Sequence, residues 1–204
     1  MKTVIVLGNA RSGTSMTAGL LFYIGVDIIH VHKPNSQNPN GAFESGDWNE
    51  ITTKIYQDEN KEAYKSQIKD LIEKGKSEIW GWKSALTHWS LDIFLPLVEN
   101  PHLVIVTRNV VDNARSWQIH MKTNYGKNVS WEQALENITN SNNVLIKNTN
   151  TAQCPKLWTT YESLKRQPLV EAEAMAKFLN IDLDQAKKDK VQQFIMPDHT
   201  TIKE

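Results

Sequence analysis

The stretch TVIVLGNARSGTS, residues 3 to 15, decides the fold. Val4 to Leu7 are apolar without alternation, the pattern of a strand buried on both faces, as in a parallel sheet. Gly8 ends the strand, and Met16, Leu20, Leu21 and Ile24 then recur at helical spacing. Strand, glycine loop and helix in that order predict an anion site, the alternative being a plain turn of the kind many α/β folds carry after their first strand. The loop amides converge on a phosphate-sized group, and the helix N-terminus adds the positive end of its dipole.

Further along, the alternation repeats. EIWGW at 78 to 82, LVIVT at 103 to 107 and LWTTY at 157 to 161 read as strands. Between them lie one or two amphipathic helices over 47 to 74, a helix near 88 to 98 and another soon after Arg108. Ser130 and Gln133 stand at capping-box spacing before a further helix, and helices near 169 to 180 and 184 to 194 follow. The segment from Gly25 to Gly46, rich in Pro, Asn, Ser and Gly, predicts a long loop of the kind that faces substrate. The expectation is an α/β fold: a P-loop-like parallel sheet flanked by helices on both faces, one domain over residues 1 to 204.

Composition narrows the function. The 204 residues carry 23 Lys plus Arg against 23 Asp plus Glu, so no global field draws the protein to nucleic acid or to an anionic membrane. Any anion site is local. The single cysteine, Cys154, makes no internal disulfide, and neither VIVL at 4 to 7 nor the run from Met16 to Ile24 approaches the about 20 apolar residues of a membrane span. A cytoplasmic protein is the expectation. His30 and His32 alternate without a third ligand at metal spacing, so no metal is expected.

The loop GNARSGTS matches the nucleotide-binding G-x-x-x-x-G-K-[ST] at Gly8 and Gly13, but Thr14 replaces the lysine. That substitution weakens a kinase or NTPase reading, which stays as the alternative. The positive charge has moved to Arg11, whose guanidinium can fork onto phosphate or sulfate oxygens. A second constellation is VIVTRNVVDNARSW, residues 104 to 117. Arg108 ends a strand and Ser116 lies two helical turns on, so both can reach the crevice at the carboxyl edge of the sheet. Otherwise, Arg108 pairs with Asp112 and Ser116 is an ordinary helix residue.

On these two segments, with PNGAFES at 39 to 45, WGWKSA at 80 to 85, and TTYESL followed by MAKFLNI, the chain resembles the sulfotransferases from about residue 3 to about 196. The resemblance is closer to the bacterial and Golgi-type carbohydrate or tyrosine branches than to the cytosolic small-molecule branch. It implies 3′-phosphoadenosine 5′-phosphosulfate (PAPS) as sulfuryl donor and adenosine 3′,5′-bisphosphate (PAP) as product. By the same resemblance Arg11, Ser12, Gly13, Thr14 and Ser15 hold the phosphosulfate end, Arg108 and Ser116 the 3′-phosphate, and Tyr161 lies near the adenine. Lys83 matches a lysine that contacts the bridging or sulfuryl oxygens, and Glu44 matches a glutamate general base; with Arg11 they form the catalytic set. The bland readings are a surface lysine for Lys83 and a solvated loop carboxylate for Glu44.

Two features depart from the cytosolic branch. Its histidine base, two residues after the strand-end lysine, is here Ala85, and its glycine-rich C-terminal cofactor segment is absent. His88 and His120 are the substitute bases if Glu44 is not one. Trp48, Trp80, Trp82, Trp89, Trp117 and Trp131 are split between core and an acceptor-lining role. The expected partner is a small-molecule or carbohydrate acceptor offering a hydroxyl or amine; its identity and the oligomeric state are not legible. A nucleotide-binding module that has kept the fold and lost the base is the non-enzymatic alternative.

Overall fold

The computed structural model describes residues 1–29, 41–75 and 77–195. At its centre is β1 (Lys2–Leu7), whose Val4 to Leu7 are wholly buried. It pairs in parallel with β3 (Ile79–Lys83) on one side and β4 (Pro101–Thr107) on the other. A two-residue strand, β2 (Asp27–Ile28), flanks β3, and β5 (Lys156–Thr160) flanks β4. The order is β2-β3-β1-β4-β5, parallel throughout, as the uniformly apolar strand runs predict.

Strand alternation divides the core into two faces. Val4, Val6, Val104 and Val106 point to α1 (Thr14–Ile24), α8 (Pro168–Leu179) and α9 (Gln185–Phe194). Ile5, Leu7, Leu103 and Ile105 point to the opposite face, under α2 (Gly46–Gln57), α3 (Lys65–Lys74) and the long α6 (Trp131–Thr151). On that second face Trp48 stacks on Trp82 with ring centres 4.1 Å apart and planes 9° from parallel, beside Trp80 and Phe94. These three tryptophans are core. Trp80 and Trp82 on one side of β3 place Lys83 on the other, toward α1. Gly81 lies between them because a Cβ there would come within 2.0 Å of the Val4 carbonyl oxygen.

Several local expectations hold and others shift. The Ser130–Gln133 capping box opens α6, with both reciprocal hydrogen bonds made. The helix expected near 88 to 98 is instead two 3₁₀ turns, Thr87–Ser90 and Leu95–Leu97, around the single turn α4 (Leu91–Phe94); Pro96 lacks the amide that would continue the ladder. α5 (Val110–Tyr125) follows β4, its N-terminus capped by the Asn109 side chain at Val111 N and Asp112 N. LWTTY ends one residue early, because Thr160 caps a short helix, α7 (Tyr161–Arg166), that the sequence reading omitted. β2 lies inside the expected loop. His30, His32, Pro39 and Asn40 fall outside the described residues. Among the described residues no helix is long and apolar enough to cross a membrane.

Candidate active site

Four strands of a parallel sheet end at the same edge, and each end carries a residue of the site. After β1 comes the loop from Gly8 to Gly13, after β4 comes Arg108, after β5 comes Tyr161, and Lys83 is the last residue of β3. β1 is central, so its loop sits in the middle of that edge, where open α/β sheets bind ligands.

The loop is held from below. Ser12 turns inward: its Oγ donates to the Asn9 carbonyl at 2.8 Å and its amide to the same oxygen at 3.1 Å. Asn9 is fixed to α6, donating to Asn142 Oδ1 at 2.8 Å and accepting from Ser141 Oγ at 2.6 Å. From α5, Asn113 donates to the Ala10 carbonyl at 2.8 Å. Thus braced, Arg11 adopts a left-handed φ of 68°, a conformation that costs a side-chain-bearing residue about 1–2 kcal/mol. Gly13, at φ 100°, is the N-cap of α1, whose first turn carries no acidic residue. A Cβ on Gly13 would lie 2.8 Å from the Tyr161 ring.

Arg11, Arg108, Ser116 and Tyr161 converge. Arg108 Nη1 donates to the Arg11 carbonyl at 3.1 Å, and Arg11 Nε donates to Ser116 Oγ at 3.4 Å. The Arg108 guanidinium lies over the Tyr161 ring, and its Nε is buried with no hydrogen-bond partner among the described residues. Burial first, and then repulsion from Arg108, holds the Arg11 guanidinium below its ordinary pKa, with Tyr161 opposing. The two guanidiniums lie close enough to repel each other, and a buried Arg108 donor is left idle between the loop and Tyr161, an arrangement chemically suited to an anion.

On the other side of the loop, Lys83 is 3% exposed and donates to Ser15 Oγ at 3.1 Å, to the Ala42 carbonyl at 3.2 Å and to Glu44 Oε1. Burial pushes the ammonium below its usual range, the Glu44 carboxylate pulls it back, and Arg11 pushes it down again. The second Glu44 oxygen accepts from Asn49 Nδ2 at 2.9 Å. The carboxylate is delivered by Phe43, which takes φ 51° and buries its ring edge-on to Phe194, leaving the next residue to face the loop. Glu44 keeps 30% of its side-chain surface exposed against 4% for Lys83, so the carboxylate is the member of the pair within reach of an incoming molecule.

The structure separates the two histidines. His88 lies under α6, 1% exposed, with Nε2 at 3.0 Å from Ser141 Oγ, and burial, offset in part by the Ala85 carbonyl, lowers its pKa to about 4. It belongs to the support of Asn9. His120, half-buried on α5, is lowered by burial and by Arg11 and raised by Glu44, so it shares their neighbourhood. Thr14 is buried at the start of α1. Sequence reading missed Asn49, Asn9 and Asn113; only the capping-prone chemistry of asparagine marked them.

A model of the sulfotransferase domain matches residues 1–200. The chain belongs to the sulfotransferase family. A sulfotransferase of Mycobacterium avium has a TM-score of 0.67 to this sulfotransferase domain at 10% identity, covering 95% of this chain and 67% of that one. A mouse sulfotransferase in complex with PAP gives 0.63 at 14% identity, covering 96% and 64%. The sulfotransferase domain of the curacin biosynthetic pathway gives 0.59 at 14% identity, covering 93% and 77%. At such identities the likeness is one of fold, and this domain is shorter than each of the three. Comparison with curated proteins finds no match.

Proposed function

We propose that this sulfotransferase domain, acting as one unit over residues 1 to 204, moves the sulfuryl group of PAPS to a hydroxyl or amine of a small-molecule or carbohydrate acceptor, with Glu44 as general base. The observation that carries the reading is the meeting of Lys83, Ser15 and Glu44 beside the loop that opens α1. The residues fit a bisphosphate nucleotide: the start of α1 and Arg11 suit its 5′ end, while the idle Arg108 Nε, with Ser116, suits a 3′-phosphate. Bound there, PAPS supplies a sulfuryl group activated by its phosphate leaving group.

The chain's own residues then divide the work. The amides of Gly13, Thr14 and Ser15 hold the phosphosulfate end with Arg11, and Ser12 keeps the loop in shape from inside. Tyr161 closes over Gly13 and stacks on Arg108. Lys83 neutralises charge building on the bridging oxygen as its bond to sulfur breaks. Glu44 takes the acceptor proton as the new bond to sulfur forms, the step a neutral hydroxyl needs to become a competent nucleophile.

The test is a thermal shift followed by turnover. PAP at a hundredfold excess over its dissociation constant should stabilise the fold by about 2.7 kcal/mol and more than Mg-ATP does. Across an acceptor panel, Glu44→Gln should lower turnover by about 100-fold or more while PAP affinity stays within a few-fold. A larger stabilisation by Mg-ATP defeats the reading.

A further inference from the structure

Lys83 has three N–H donors and all three are engaged, by Glu44, Ser15 and Ala42. A donor oxyanion that reaches Lys83 must take one of these bonds or share it. The ammonium that holds Glu44 is therefore the group that the donor draws on, and the carboxylate needs another tether at the moment it is to act.

We propose that Asn49 is the positioning residue that keeps Glu44 aimed at the acceptor when the donor engages Lys83. This rests on the reading of Glu44 as base. Asn49 Nδ2 donates to Glu44 Oε2 at 2.9 Å, and Lys83 takes Oε1, so withdrawal of Lys83 frees one oxygen for the acceptor proton while the other stays held. The amide is neutral, so it orients the carboxylate without supplying the compensating charge that would make it a weaker base.

Asn49 itself is well anchored. It lies in the first turn of α2, its amide donates to the Ser45 carbonyl at 3.0 Å, and its carbonyl accepts from Thr53 Oγ1 at 2.7 Å. The helix is fixed to the end of β3 by the Trp48–Trp82 stack and by Thr52 Oγ1 at 2.8 Å from Ser84 Oγ. The anchored helix thus references Glu44 to the strand that carries Lys83, as a precise site requires.

A double-mutant cycle tests this. Asn49→Ala should lower kcat by about 10- to 100-fold, the upper end being the loss that a misplacement of about 1 Å brings, with PAP affinity within about twofold of wild type. In the Glu44→Gln background the same change should cost less than twofold, because the residue acts through the carboxylate. Asn49→Leu, similar in size and lacking the donor, runs in parallel and should give the same pattern, with urea midpoints confirming folded protein. An equal loss in both backgrounds, a loss that appears in PAP affinity, or a wild-type kcat overturns the assignment. If Glu44→Gln itself turns over at the wild-type rate, the base reading falls, and this inference with it.

Discussion

The Arg108 guanidinium lies 4.3 Å from the centre of the Tyr161 ring, and the same ring blocks any side chain at Gly13. One aromatic plane therefore sets both the arginine and the loop. Arg108→Ala should weaken PAP by about 10- to 100-fold, since hydrogen bonds to charged groups contribute about 1.5–3 kcal/mol each. A nucleotide without the 3′-phosphate should lose little. Calorimetry with both ligands decides it, and equal losses would make Arg108 a structural residue only.

Gly13→Ala should fail for two reasons, its φ of 100° and the approach of Tyr161 to 2.8 Å. The backbone cost is about 1–2 kcal/mol. PAP binding should fall further than stability does, because displacing Tyr161 also frees Arg108. Adding Tyr161→Ala relieves the clash and should recover part of the stability but not the binding, as urea titration and calorimetry would show.

His88 gives the fold a pH dependence. Its folded pKa of about 4 lies below the ordinary value of 6.5, so the unfolded chain binds the proton more tightly. The stabilisation is complete above about pH 6.5 and is lost progressively as pH falls toward 4, by on the order of 3 kcal/mol. His88→Gln should flatten the slope of unfolding free energy between those limits, whatever it does to the plateau. An unchanged slope would assign the acid sensitivity elsewhere.

Trp48→Ala should cost about 3–5 kcal/mol, the range for deleting a buried aromatic. The loss should also reach the site, because Trp48 holds α2 against β3. Turnover per folded molecule should fall while PAP affinity, set on the far side of the loop, stays near wild type.

Strand and loop were legible in the sequence because buried parallel strands are continuous apolar runs, and the residues ending them carry charge against that background: Lys83 after IWGW, Arg108 after LVIVT. Such signals are local. β2 carries none, since two residues become a strand only through pairing with Trp80 and Gly81. α7 hides because six residues are too few to show a period. In the site, Arg11 and Ser116 were legible one by one, but the bond between them spans 105 residues, and the Asn9–Ser141 bond spans 132. Asn49 was invisible because an asparagine in a helix's first turn looks like a capping residue whatever its side chain reaches.

The stack of Trp48 on Trp82 joins the residue before Asn49 to the residue before Lys83. Two indoles held face to face couple their electronic transitions, so the protein carries an optical gauge one peptide unit from each of the groups that grip Glu44. A shift of α2 against β3 on ligand binding would be written in near-ultraviolet circular dichroism, with no label and no acceptor present.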